Sequence, residues 1–109
     1  MISKTPAPPY YAAIFSIVRA NIDEAEHAAM GEKMFSLATQ QDGFLGFEHS
    51  PETPEGFSLS VSYWRDEDCI RRWKQNAEHL VAQKLGKTKW YPAYCIRIAR
   101  VDRAYGQGT

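Results

Sequence analysis

The sequence predicts an α+β domain with ferredoxin-like βαββαβ order. Four stretches rich in β-branched and aromatic residues read as strands, and two longer stretches repeat their apolar residues at the helical period. In chain order they run strand, helix, strand, strand, helix, strand, which is two crossovers around one sheet. The clearest single element is Phe57 to Trp64, FSLSVSYW, where large residues and serines alternate without a break.

Tyr10 to Arg19, YYAAIFSIVR, is the first strand. Its two rows, Tyr11, Ala13, Phe15, Ile17 and Ala12, Ile14, Ser16, Val18, are both mostly apolar, so both faces should be buried. Asn21 to Gln41 is the first helix, capped by Asn21 or Asp23, with Ile22, Ala25, Ala29, Met30, Met34, Leu37 and Ala38 on one stripe. Asp42-Gly43 stops it, since Gly43 can take a left-handed cap. Phe44 to Ser50 is a second strand. PETPEG, residues 51–56, is a flexible turn-rich link that makes strands two and three an antiparallel pair.

Asp66 is the N-cap of the second helix, with Glu67 and Asp68 in its first turn. Ile70, Trp73, Ala77, Leu80, Val81 and Leu85 mark its apolar face, and Gly86 is a ready C-cap beside Lys84 and Lys87. Tyr94 to Arg103, YCIRIARVDR, is the last strand, with Ile96 and Ile98 on one face, Cys95, Ala99 and Val101 on the other, and Arg97 between them in the chain. The domain is expected over residues 10–105, between a flexible proline-bearing arm at 1–9 and a glycine-rich tail at 106–109. One layer of helices covers one face of such a sheet. Doubly apolar outer elements therefore call for a second copy of the chain on the other face, a homodimer.

Composition removes several classes of function. Lysine plus arginine and aspartate plus glutamate both number 13, so no net positive charge draws the chain to nucleic acid or to an anionic membrane. No apolar run reaches spanning length, and MISKTPAPPY lacks the apolar core of a signal peptide, so a cytoplasmic place is expected. Cys69 and Cys95 have no metal or redox spacing and read as free thiols. There is no glycine-rich phosphate loop, HExxH, CxxC or GxSxG.

The strings SYW, IRRWK, AEHLVAQKLGK, WYPAY and RIARVDRAY resemble the antibiotic biosynthesis monooxygenase domain family, across about Tyr10 to Tyr105. The resemblance implies a dimeric α+β barrel and, in different branches, oxygenation of polyketide quinones, haem degradation or no known substrate. Trp64 and Trp73 match a tryptophan pair of the haem-degrading branch. The position of that branch's haem-ligating histidine is Gln83 here, and its catalytic asparagine on the first strand has no counterpart. A glutamine amide is a poor iron ligand, so haem is disfavoured and no cofactor is expected.

Candidate site residues cluster in residues 63–97. His79 would be the catalytic base if it faced a pocket. Gln75, His79 and Gln83 share a stripe opposite Ile70 and Trp73, so a straight helix turns His79 outward. A pocket role needs a bend near Ala77 or a partner chain over that face. Trp64, Trp73, Trp90 and Tyr94 are candidate walls for a flat aromatic ligand, and Arg97 a candidate partner for an anionic oxygen. The row Ser58, Ser60, Ser62 beside Trp64 reads either as a cavity floor or as the interior between two subunits. The expected function is a cofactor-independent monooxygenase acting on a planar aromatic or quinol. The alternatives are a module that binds a small molecule or haem without turnover, and a purely structural dimer.

Overall fold

The computed structural model describes residues 2–18, 24–85 and 93–108, with the side chains of 24–27, 30 and 80–85 outside that description. The elements are β1 (Tyr10–Val18), α1 (Glu24–Thr39), β2 (Phe44–His49), β3 (Phe57–Trp64), α2 (Glu67–Leu85) and β4 (Ala93–Val101). Their order is the one expected, with ends displaced by a few residues. The proposed caps Asn21, Asp23 and Gly86 lie outside the described residues. The N-cap Asp66 does what its side chain predicts: its Oδ1 accepts the Cys69 backbone N–H at 2.9 Å.

The sheet has the order β2-β3-β1-β4 and is antiparallel throughout. Register sorts its residues into two faces. Tyr11, Ala13, Phe15 and Ile17 of β1 stand level with Trp64, Ser62, Ser60 and Ser58 of β3. On the other side of β1 they stand level with Arg100, Ile98, Ile96 and Tyr94 of β4. The helices lie on this face. Ala38 of α1 and Cys69 and Ile70 of α2 are buried with Ala13 and Trp64, and Tyr11, Phe44 and Trp73 pack around them. Phe35 of α1 sets its ring on Phe47 of β2, centroids 5.2 Å apart.

Ser62 and Trp64 lie buried beneath the helices of their own chain, whereas Ser58 and Ser60 further along the row are half-buried. The reason is size. Small side chains on β3 let helical side chains approach the sheet, and the indole fills the space that remains. The bare face is the alternating apolar one, where Phe57 and Leu59 are 42% and 36% exposed. Arg97, in register with Ile14 on that face, is exposed too.

Among the described side chains, the apolar stripe expected along α1 docks at its C-terminal end. Ala38 is buried and Met34 and Leu37 are half-buried, whereas Ala29 is exposed. Ile22 and the side chains of Ala25 and Met30 lie outside the described residues.

The arm expected to be flexible is tied to the sheet. The Ser3 hydroxyl donates to the Phe47 carbonyl at 2.9 Å and accepts the Phe47 N–H at 3.0 Å. Thr5 donates to the Tyr10 hydroxyl at 2.9 Å. The 51–56 link is closed as well, by Thr53 N–H to the Phe57 carbonyl and Phe57 N–H to Thr53 Oγ1.

Gly43 joins α1 to β2 at φ +84°, in the left-handed region. A Cβ there would also overlap the Cys69 side chain. Gly43→Ala is therefore expected to lower stability by about 1–3 kcal/mol from the backbone alone, and by more with the overlap. Urea unfolding checks it. In a Cys69→Ala background the same substitution should cost less, because only the backbone component is left.

Candidate functional site

Trp64 is the innermost large side chain, with no exposed surface. Its indole N–H donates to Ser62 Oγ at 2.8 Å, so the buried donor is satisfied by the neighbour two residues back on the same face. Trp73, on the inward stripe of α2, stacks on it with centroids 6.1 Å apart and planes 23° apart. Phe44 meets it edge-on at 5.5 Å. Trp64 and Trp73 are thus brought together, but Trp64 is packed core with no exposed surface.

Among the described residues, the open surface on the helical face lies along β4, beside the half-buried Phe15 of β1, whose row neighbours Ala13 and Ile17 are buried. Among the described residues the helices pack mainly against β2 and β3. Tyr94, Ile96 and Ile98 of β4 are consequently 63%, 41% and 43% exposed. Phe15, in register with Ile96 and Ser60, makes an edge contact with Tyr94 at 5.8 Å. Ser58 and Ser60 border the strip on the β3 side. The result is a shelf with an apolar floor, a hydroxyl edge and the half-buried Trp73 toward one end. Sequence reading named Tyr94 but not Phe15, Ile96 and Ile98. Their exposure follows from where the helices stop, and strand periodicity carries no record of that.

The other candidates are placed elsewhere. α2 runs without a break from Glu67 to Leu85, and His79 is exposed on it. The bend that would have turned His79 inward is absent, so the straight-helix phase holds and points it away from the sheet. Arg97 is on the opposite face of the sheet from the shelf. Trp90 lies outside the described residues, as does the side chain of Gln83. An open groove on α1, lined by Lys33, Ser36, Leu37 and Gln40, includes none of the predicted residues.

A polar clamp closes the Trp64 end. Arg65 donates to both Asp42 oxygens, at 3.2 and 2.8 Å, and to Asp66 Oδ2 at 3.2 Å. The Arg65 contacts hold Asp42 below the usual carboxylate range. Arg65 and Arg72 each donate to Cys69 Sγ at 3.3 Å. Burial, and then the hydrogen bond with Asp66, nevertheless push the Cys69 thiol up. It packs in the core with Trp64 and Ile70. Among the described residues, no group of three His, Cys, Asp or Glu could hold a metal ion. No described helix is long and apolar enough to cross a membrane.

Residues 13–85 match the model of the family described as antibiotic biosynthesis monooxygenase. The chain belongs to that family. It is 45% identical over 102 residues to the uncharacterized protein YqjZ of Bacillus subtilis, covering 94% of this chain and 88% of that one. It is 34% identical over 61 residues to the jasmonate monooxygenase ABM of Pyricularia oryzae, covering 55% of this chain and 28% of that protein. Solved structures share the fold at low identity. One is SnoaB, a cofactor-independent oxygenase from Streptomyces nogalater (TM-score 0.66, 12% identity, 94% of this chain and 100% of that one). Another is a point mutant of MhuD with two manganese protoporphyrin IX molecules per active site (TM-score 0.66, 15% identity, 88% and 98%). The family match ends where α2 ends, and β4, which supplies most of the shelf, lies beyond it.

The clamp gives a pH prediction. The Asp66 carboxyl is lowered to about 2, first by the Cys69 backbone N–H, then by the Cys69 side chain and Arg65. A carboxylate held below its unfolded value contributes stability above that value and loses it as pH falls through the folded one. The contribution of Asp66 should therefore disappear between about pH 4 and pH 2. Asp66→Asn keeps a capping oxygen without the charge, so its urea midpoint should fall less steeply than the wild type's across that window.

Proposed function

We propose that this chain is a small monooxygenase-like protein that binds a planar aromatic or quinol molecule on the β1–β4 shelf and oxidises it without flavin or metal. The shelf is the observation that carries the reading. Phe15, Tyr94, Ile96 and Ile98 offer a flat apolar floor. Ser58 and Ser60 can hydrogen-bond the ring oxygens along one edge. Similarity to a jasmonate monooxygenase over 61 residues supports oxygen chemistry. In such a reaction the ionised substrate supplies the electrons to O₂. A ring CH₂ becomes C=O, the second oxygen atom leaves as water, and no outside reductant is consumed.

His79 has no part in this reading, because it points away from the shelf. Among the described residues the shelf has hydroxyls but no imidazole or carboxylate. The protein would therefore favour the anion through hydrogen bonds from Ser58, Ser60 and Tyr94, and would act on substrates acidic enough to ionise near neutrality. The same lack of a base favours one alternative, a module that binds the molecule without turnover. The test is to add a hydroxyanthrone, which carries the ring CH₂, under air, following tryptophan fluorescence and O₂ uptake together. Saturable quenching with O₂ uptake above the uncatalysed rate is expected, and Ile96→Asp should abolish both. Quenching without O₂ uptake would establish the binding module, and neither signal would remove the shelf as a ligand site.

Haem is not part of the proposal, since Gln83 stands where the haem degraders have their ligand. Haemin titration should give no stoichiometric histidine-ligated Soret band. A sharp band lost in His79→Ala would overturn this.

We also propose that the chain works as a cytoplasmic homodimer joined through the bare face of the sheet. Phe57 and Leu59, with the half-buried Ile14 and Val61 beside them, form an apolar surface that this chain's helices do not cover. Light scattering should give about twice the chain mass of 12.4 kDa. Leu59→Lys should shift it to one chain mass.

A further inference from the structure

We propose that residues 2–9 are an edge guard: a strap, clipped by Ser3, that occupies the outer edge of β2 and prevents a strand of another copy from adding there. β2 is the terminal strand of the sheet on that side. Ser50 N–H donates to the Leu59 carbonyl at 2.9 Å, so Ser50 faces β3 with its backbone groups. Antiparallel pairing alternates, so Glu48, level with Val61, also faces β3, while Phe47 and His49 present their N–H and C=O outward. Such an unpaired edge is a template for strand addition.

Ser3 takes up the Phe47 pair completely. One hydroxyl does the work of a neighbouring strand, donating to the carbonyl at 2.9 Å and accepting from the N–H at 3.0 Å. Two further features fit the edge to the strap. Glu48 divides its carboxylate, one oxygen accepting the Ser3 N–H at 2.9 Å and the other the Tyr63 hydroxyl at 2.7 Å. That ties the arm through β2 to β3. Gly46 supplies the room: a Cβ there would come within 2.8 Å of the Ser3 Cβ and 2.9 Å of its hydroxyl. Gly46 has no positive φ, so the edge requires a glycine here for the arm and not for the backbone.

The proposal is independent of the homodimer and of any ligand, because it concerns the edge of the sheet and not its faces. The test uses the full chain and two variants that reach the clip from opposite sides. Ser3→Ala removes the hydroxyl, and Gly46→Ala removes the space. Amide exchange at Phe47 and size distribution by light scattering are followed against protein concentration. In both variants Phe47 exchange should rise about tenfold, the scale of one net hydrogen bond. Species larger than the wild-type assembly should then appear and grow with concentration. Unchanged Phe47 exchange in both variants would show that no clip holds the edge. Faster exchange with a size distribution identical to wild type would show that the arm docks but guards nothing. Either result overturns the proposal. The signal of the stacked Trp64–Trp73 pair in circular dichroism reports that each variant is folded.

Discussion

The burial of one indole organises this molecule. Trp64 ends β3 with no surface exposed, and everything near it is arranged to permit that. Ser62 accepts its N–H, Trp73 covers one face and Phe44 meets it edge-on. Truncating a buried tryptophan typically costs about 3–5 kcal/mol, a large part of the stability of a domain this small. Because Trp64 belongs to the same side of β3 as the three serines, its burial decides which face of the sheet receives the helices.

That decision leaves apolar residues exposed on both sides of the sheet. Among the described residues the helices pack on the β2–β3 half, and Tyr94, Ile96 and Ile98 of β4 are exposed. The opposite face, carrying Phe57, Leu59 and Val61, is left to whatever covers it from outside the chain. One packing preference thus sets the character of the two sides of a four-stranded sheet. The exposed Asp42–Arg65–Asp66 clamp joins the α1–β2 turn to the start of α2.

The candidate site was legible only in part. The family resemblance singled out Trp64 and Trp73 together; that the two rings stack is a tertiary contact. Tyr94 was found as an aromatic on the last strand, but for a wall and not for a floor. His79 shows how composition misleads. A histidine in an aromatic-rich stretch invites a catalytic role, and the helical phase already counted against it. The unbroken α2 leaves it outside. The arm shows the reverse case. Three prolines near a terminus read as a loose segment, yet Ser3 finds a strand edge 44 residues away in the chain.

Element order, the strict alternation of β3, the Asp66 cap and the stop at Gly43 were determined by the sequence alone. Each rests on residues a few positions apart, where backbone geometry and short-range hydrogen bonds decide. Which face the helices cover, how much of β4 they leave open, and where the arm docks were decided by tertiary structure. Those outcomes turn on contacts between residues distant in the chain, and on the volume of one indole. Periodicity divides a strand into two faces; only packing says which of them is inside.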